Sequence, residues 1–447
     1  MLKQSQLVKR VPYDENREIL LSNLTGDIML VSKEVSNLFD RFKTQQDITN
    51  FSVKEKEVVE KLKKLGYLVD DNISKNDEID LLRSRIEFYR ENSKPGYSFF
   101  VTIDCNFGCK YCYQKKNVLT MSEDTASKIV KFIASSLASS RNDEVMIEFT
   151  GGEPLLQFPL IKKIIENLEA SLKGKTSINI GLVTNGSLIS KEISNYLNLH
   201  NWTWVQVTLD GLRDIHNALR PYANGRGTFD DVKNGIYNAL NACKKVIIRT
   251  NIDRTNEDYV GVLWQSLKDE GFCRENVYLS PMLTGAPLQA SRHRANLCYT
   301  EYIGSEKLKK YIDLAHDLGF KTTYYLPRFM YCGILSTKNN LMFYPDGSIF
   351  TCWYATGGLE NTLMIGNVNN NPVFNENKRK LDSWNILDFE KCRNCDIVTF
   401  CGGGCVADAL TEGGKNLEPK CPPYAYNFEE YIKGYVKYKM LAENENE

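Results

Sequence analysis

Cysteine carries most of the chemistry this chain can do, and its placement is uneven. Three thiols stand together at Cys105, Cys109 and Cys112. Seven more crowd the last quarter, at Cys332, Cys352, Cys392, Cys395, Cys401, Cys405 and Cys421. Thiolates gathered in this way hold metal, as zinc or as iron–sulfur. The first three can wrap one face of a [4Fe–4S] cluster. The fourth iron then lacks a protein ligand and is open to a small molecule, which is a catalytic arrangement. A three-cysteine zinc site is the alternative, although structural zinc usually takes four protein ligands and no His lies nearby. Cys243, Cys273 and Cys298 stand apart and read as small buried hydrophobes.

Such residues need elements to position them. From about residue 97, strands and helices alternate. SFFVTIDC, VMIEFT, SINIGLVT, TWVQVTLDG, KVIIRTNID and NVYLSPML read as strands. Helices follow them at about 122–139, 158–171, 189–199, 229–242, 257–270 and 305–319. Six βα units imply parallel pairing, in a partial barrel or an open doubly wound sheet. In both, functional groups collect at the C-terminal ends of the strands, and the first strand runs straight into Cys105.

The two ends differ from this middle. REILLSNLTGDIMLVS reads as two short strands around Thr25-Gly26-Asp27. SKEVSNLFDRF, with Ser32 as its cap, reads as a helix. SVKEKEVVEKLKKLGYLVDD is a second helix, stopped at Gly66 and followed by a strand. That outline is winged-helix-like. After about residue 320 the chain turns rich in Cys, Gly, Asn and Pro. LMFYPDGSIFTC is a hairpin around Pro345-Asp346-Gly347. KCRNC and FCGGGC leave little room for regular helix, so cysteines must staple this part. EEYIKGYVKYKML reads as a closing helix.

Composition bounds the function. A length of 447 residues suggests about three domains. Hydrophobic residues at 42% and charged residues at 25% mark a folded globular chain and exclude a disordered one. No apolar run reaches membrane-spanning length, so no membrane association is expected. MLKQSQLVKRVPYDENRE has no apolar segment of a secretory signal. Basic and acidic residues balance at 56 each, which gives no support to nucleic-acid binding. Thirteen cysteines, an odd number, without an export signal point to reduced thiols in a cytoplasmic protein.

The run CNFGCKYC after the first strand resembles the CxxxCxxC signature of the radical S-adenosylmethionine (SAM) superfamily. The resemblance implies an α/β fold, a partial (β/α)6 TIM-like barrel. It implies a [4Fe–4S] cluster whose open iron is chelated by the amino and carboxylate groups of SAM. One electron from that cluster cleaves SAM to a 5′-deoxyadenosyl radical, which abstracts hydrogen from the substrate. An electron donor such as flavodoxin or ferredoxin is implied as well. Thr150-Gly151-Gly152-Glu153-Pro154 resembles the GGEP motif that contacts the SAM amino group. Glycines there let carbonyls approach an ammonium, and Glu153 adds negative charge. Thr184-Asn185-Gly186 ends the third strand, with Asn185 a candidate SAM contact. Thr208-Leu209-Asp210-Gly211 resembles the family's SLDG segment, with His216-Asn217-Ala218-Leu219-Arg220 after it. Carried over, Thr208 bonds SAM and Arg220 pairs with its carboxylate as a bidentate fork; a surface salt bridge is the plainer role for Arg220. Asp210 reads as a ribose or structural contact.

The C-terminal cysteines resemble the SPASM domain, which carries two auxiliary [4Fe–4S] clusters, so three clusters are implied in all. Cys332, Gly347 and Cys352 fit its first pattern. Cys392, Cys395, Cys401 and Cys405 fit C-x2-C-x5-C-x3-C, and Cys421 completes it. By this resemblance Cys392, Cys395, Cys401 and Cys421 enclose the second auxiliary cluster, and Cys332, Cys352 and Cys405 hold the first. GILSTKNN, after Cys332, lacks the eighth cysteine that some relatives carry, so the first auxiliary cluster has an open or non-cysteine position, with Cys298 a nearby candidate. The implied division is 1–90 (winged-helix-like, resembling precursor-peptide recognition elements), 91–320 (radical SAM barrel) and 321–447 (SPASM domain). Tyr111, Tyr113 and Trp353 read as aromatic packing around clusters.

Three activities compete. A peptide maturase would cross-link a ribosomally made precursor peptide through a thioether or carbon–carbon bond. An anaerobic sulfatase-maturing enzyme would make formylglycine; such enzymes start close to the cluster motif and tend to carry Asp after the cysteine at the Cys352 position, where this chain has Trp353. An iron–sulfur electron carrier would need neither an open iron nor Arg220. The reading adopted is the peptide maturase.

Overall fold

The computed structural model describes the chain except residues 115–117, 139–141, 173, 285–298, 300, 323–325, 327–328, 330–339, 354–362, 406–409, 411–416 and 445–447. Cys298 and Cys332 lie outside the described residues.

The chain opens with β1 (Leu2–Gln4), β2 (Val8–Pro12), β3 (Arg17–Ser22) and β4 (Asp27–Ser32). Strands β2, β3 and β4 form an antiparallel sheet, and β1 pairs with β5 (Leu68–Asp70). The β3–β4 turn bends at Gly26, whose φ of 71° is costly for any residue with a Cβ. Helices α1 (Lys33–Asp40) and α2 (Val53–Lys64) follow, capped by Ser32 and Ser52. Helix α3 (Lys75–Asn92), opened by a Ser74–Asp77 capping box, was not evident in the sequence. One face of the sheet, through Leu20 and Val31, packs on Phe39, Phe42 and Leu62. The other face, Val11, Ile19 and Leu21, packs on Ile397, Phe400 and Phe428 near the C-terminus.

Six parallel strands then run in chain order: β6 (Gly96–Thr102), β7 (Glu144–Gly151), β8 (Ser177–Thr184), β9 (Trp202–Thr208), β10 (Val246–Ile252) and β11 (Val277–Leu283). Between them lie α4 (Glu123–Ala138), α5 (Phe158–Leu172), α6 (Lys191–Leu199), α7 (Arg213–Leu219), α8 (Phe229–Ala239) and α9 (Val260–Asp269), with α10 (Glu301–Asp317) after β11. The alternation read from the sequence is thus present, with α7 as an added helix. Side chains point to opposite faces in turn. Tyr97, whose hydroxyl meets Ser136 on α4 at 3.4 Å, marks the helix-facing side of β6. Phe99, Ile147 and Phe149 share that side and are fully buried. Each such side chain contributes about 1.5–3 kcal/mol on burial. Ser98 and Glu148, paired across β6 and β7, point to the opposite side.

The hairpin read from LMFYPDGSIFTC is present as β12 (Asn340–Phe343) and β13 (Ser348–Phe350), with β14 (Met364–Asn367) beside it. Strand β12 pairs in parallel with β6, so the hairpin extends the central sheet to nine strands, with β11 and β14 at its edges. The sheet is open rather than a closed barrel. Single helical turns, Glu390–Arg393 and Val398–Cys401, carry the cysteine run that had read as irregular. A helix over Phe428–Asn444 ends the chain. Among the described residues no helix is long and apolar enough to cross a membrane.

Candidate functional site

The first cysteine loop leaves the C-terminal end of β6 and is fastened along its length. Its entry and exit pair, with Ile103 N–H on Leu119 and Met121 N–H on Val101. Gly108 and Lys110 donate to the carbonyls of Pro221 and Leu219, and Ala223 donates to Asn106. On the other side Gly152 and Glu153 donate their amides to Thr102 and Asp104, both at 2.9 Å. That pairing is why glycines stand at the end of β7. A Cβ on Gly151 would lie 2.2 Å from the Thr102 carbonyl oxygen, and one on Gly152 would lie 2.1 Å from that of Asp104.

Cys105 and Cys109 are half-buried and Cys112 is exposed. Burial, with repulsion from Glu153 and the other two thiols, pushes the Cys105 thiol up to about 12. Burial also raises Cys109, against the pull of Arg220. Such thiols release their protons when a metal replaces them, as metal coordination requires. The Phe107 amide points at the Cys105 sulfur at 3.4 Å, a donor suited to a thiolate. Three soft sulfurs on one fastened loop fit a [4Fe–4S] cluster. Among the described residues no three His, Cys, Asp or Glu side chains converge as a single bound ion would need.

Arg220 ends α7 and is 7% exposed, so the surface salt-bridge role is excluded. One end of its guanidinium donates to the Tyr111 hydroxyl and lies 3.9 Å from Asp210. Its Nε is buried without a partner. An unsatisfied donor on a fixed guanidinium fits a carboxylate such as that of SAM. Tyr111 is not simply packing around the cysteines: its hydroxyl donates to Asp210 and accepts from Asn251 at 3.1 Å. Asp210 is structural. It accepts the Asn251 amide at 2.8 Å, and its own N–H donates to His216 Nδ1 at 3.2 Å. Burial, then the nearby Arg220 charge, holds His216 neutral, at about 3. Asn217 accepts the amides of Thr228 and Phe229 and so fixes the start of α8.

Glu153 is fully buried and its carboxylate is engaged. It accepts from the Leu155 amide at 3.0 Å, the Thr184 hydroxyl at 2.7 Å and the Asn185 amide at 2.7 Å. Asn185 turns its side chain to Asn106 in the cysteine loop (2.7 Å) and lies 4.0 Å from the Cys105 sulfur. Thr150 and Thr208 are buried at the ends of β7 and β9. Glu148, two residues below Thr150, is buried with Oε1 unpartnered, and burial raises its carboxyl to about 8. Tyr111, His216, Asn251 and Glu148 were not picked out as site residues from sequence. Tyr111 and His216 stood inside quoted motifs, whereas nothing local marks Asn251 or Glu148.

In the C-terminal part, Cys392, Cys395, Cys401 and Cys421 are linked electrostatically. Cys401 and Cys421 share a hydrogen bond, which with burial raises the Cys401 thiol. Burial, with repulsion from Cys395 and Cys421, takes Cys392 up to about 11. FCGGGC has a steric reason: a Cβ on Gly404 would sit 1.5 Å from the carbonyl oxygen of Lys420, the residue before Cys421. Cys395 and Cys421 each act on both Cys392 and Cys401, and four thiols so linked fit a second cluster. Cys352 is buried and Cys405 half-buried, both against the main core.

Fold and site together fit a radical SAM domain. The model of the Radical SAM superfamily matches residues 99–263, the stretch from β6 into α9. The chain carries that domain, and its relatives include enzymes that modify proteins as well as enzymes that act on small molecules. It is 24% identical to "Radical SAM cyclopropyl synthase TigE" of Paramaledivibacter caminithermalis, over 90% of this chain and 89% of that protein. It is 22% identical to a "Cysteine-type anaerobic sulfatase-maturating enzyme" of Clostridium novyi, over 71% of this chain and 87% of that one. The solved structure of Streptococcus suis SuiB bound to precursor peptide SuiA shares the fold, with a TM-score of 0.51 at 17% identity, over 94% of this chain and 99% of that one.

Proposed function

We propose that this chain is a radical SAM peptide maturase. It abstracts one hydrogen atom from a ribosomally made precursor peptide; closing the cross-link, thioether or carbon–carbon, then releases a proton and one electron, which an auxiliary cluster would accept. The observation that carries the reading is coverage. The likeness to SuiB, solved with its precursor peptide, spans 94% of the chain. It therefore includes part of residues 1–90, which are about a fifth of the length. The likeness to TigE over nine-tenths of both chains supports the same reading.

Cys105, Cys109 and Cys112 hold the SAM-binding cluster, and Arg220 presents its free Nε to the SAM carboxylate. Thr150, Gly151, Gly152, Asn185 and Thr208 line the same end of the sheet, and Glu153 braces them through Thr184 and Asn185. Bound there, cluster and SAM supply the 5′-deoxyadenosyl radical. Cys392, Cys395, Cys401 and Cys421 hold one auxiliary cluster; Cys332, Cys352 and Cys405 hold another. Residues 1–90 form a winged-helix-like recognition domain that takes the peptide as an added strand. Such a protein works in the cytosol with a flavodoxin- or ferredoxin-type donor.

Formylglycine formation is the second reading, favoured by the Clostridium novyi relative. Against it, Trp353 follows Cys352, and an indole cannot act as the base that Asp would provide.

The test is a mass spectrum of an anaerobic reaction of reconstituted protein, SAM, reductant and a precursor peptide encoded beside the gene. A peptide lighter by two hydrogens, with 5′-deoxyadenosine formed, is the expected result. An unchanged peptide with conversion of a sulfatase peptide to formylglycine would replace this reading by the second.

A further inference from the structure

The turn between β3 and β4 reaches into the segment that joins Cys395 to Cys401. Asn23, 1% exposed, is the residue that makes the contact. Its Nδ2 donates to the carbonyls of Leu7 (3.0 Å) and Asp396 (2.7 Å). Its Oδ1 accepts the Thr399 amide at 3.0 Å, and its main-chain carbonyl accepts the Thr399 hydroxyl. One side chain thus spans Asp396 and Thr399, both between the two cysteines. Lys9 on β2 adds a bond to Asp396 at 2.7 Å and lies 3.4 Å from Glu429. Beneath them Val11, Ile19 and Leu21 share one core with Ile397, Phe400 and Cys401. Helix α3 fastens the flank: Arg83 pairs with Asp388 at 2.8 Å, and the buried Arg90 donates to the carbonyls of Trp384 and Leu381.

Before metal arrives, this loop is ordered only by that core and by these bonds. Its single helical turn, Val398–Cys401, is too short to be stable alone. Ordering it costs chain entropy, and its thiols repel one another as they ionise. A buried amide that satisfies both a carbonyl and an N–H of the loop removes that disorder in advance. It does so without adding charge beside a cluster.

We propose that Asn23 is a positioning residue for the Cys395–Cys401 loop, holding these cysteines at the spacing the second auxiliary cluster takes. The N-terminal sheet is then a scaffold for cluster assembly as well as a recognition module. The proposal rests on the reading of Cys392, Cys395, Cys401 and Cys421 as ligands.

The test uses the full chain with Asn23→Ala, Asn23→Asp, Cys401→Ala and a control, Tyr67→Phe. The control removes hydrogen bonds to Leu20 and Asp27 within the N-terminal region. Hydrogen exchange is read on the metal-free proteins, and iron per chain after anaerobic reconstitution. Asn23→Ala should exchange the amides of 396–401 about ten-fold faster, while Tyr67→Phe leaves them near wild type. Asn23→Asp keeps the acceptor for Thr399 and should fall between. After reconstitution, Asn23→Ala should lack about four irons per chain, as Cys401→Ala does. Wild-type iron in Asn23→Ala, when Cys401→Ala has lost its share, overturns the proposal. Wild-type iron in Cys401→Ala instead refutes the ligand assignment. Loop exchange then decides the positioning role alone, and a wild-type rate in Asn23→Ala ends it.

Discussion

Replacing Tyr111 by Phe removes one hydroxyl and leaves the ring. In the structure that hydroxyl donates to Asp210 and accepts from Arg220 and Asn251. Two of the three bonds involve a buried charge. Hydrogen bonds to charged groups are each worth about 1.5–3 kcal/mol. Part of the loss is recoverable, because Arg220 already lies 3.9 Å from Asp210 and can close on it. That closure turns the guanidinium away from the direction its free Nε now takes. Restoring it on SAM binding should cost about 1.4 kcal/mol, a factor of ten in affinity. The assay is equilibrium SAM binding to reconstituted protein, with iron content as the control for the neighbouring Cys109 and Cys112. The expected result is SAM affinity about ten-fold weaker at wild-type iron content. Wild-type SAM affinity in Tyr111→Phe would refute the view that this hydroxyl aims Arg220.

Two further outcomes follow from buried groups near the site. Burial raises the Glu148 carboxyl to about 8, so the folded chain keeps a proton that the unfolded chain releases. Its stabilising contribution is therefore full below about pH 4.5 and is lost as pH rises through 8. Glu148→Gln, which imitates the neutral acid, should stabilise the metal-free protein at pH 9 by up to about 4 kcal/mol and leave it unchanged at pH 5. Equal shifts of the thermal midpoint at both pH values would contradict this. Gly152→Ala should destabilise by about 3 kcal/mol or more and lower the iron held by the first cysteine loop, because the atoms it strikes are backbone. Wild-type iron and melting in that variant would show that the loop can yield.

The six parallel strands and the helices between them were legible because each is local: a short apolar β-branched run, then helical spacing, then a turn. The cysteine spacings were legible for the same reason. What the sequence hid was long-range. Nothing in Asn340–Phe343 says that this strand will pair in parallel with β6. Nothing in REILLS says that the outer face of β3 will be covered by Ile397 and Phe400. The local rules left open whether the six units form a partial barrel or a doubly wound sheet, since the same strands serve both. Tyr111 was misread because an aromatic ring beside cysteines explains itself as packing. Its hydroxyl matters only once Asp210 and Arg220 arrive from beyond the end of β9.

Both cysteine loops are held by the same means, and the reason is electrostatic. Apolar side chains such as Phe107, Ile397 and Phe400 anchor parts of these loops, but their thiolates repel until iron neutralises them. Charge does enter at the second loop, where Lys9 pairs with Asp396: the cation favours the Cys395 thiolate and the carboxylate opposes it. Neutral amides and backbone pairing do neither. The first loop is held by the Gly152 and Glu153 amides and by Asn185. The second is held by Asn23, and Gly404 lets its end lie against Lys420. Where a carboxylate does occur beside the first loop, at Glu153, its oxygens are taken up by Leu155, Thr184 and Asn185. Its charge is thereby spent on the frame. On this argument the motif glycines and Glu153 first build the platform that sets the cysteines in place, and whatever they offer to SAM depends on that platform.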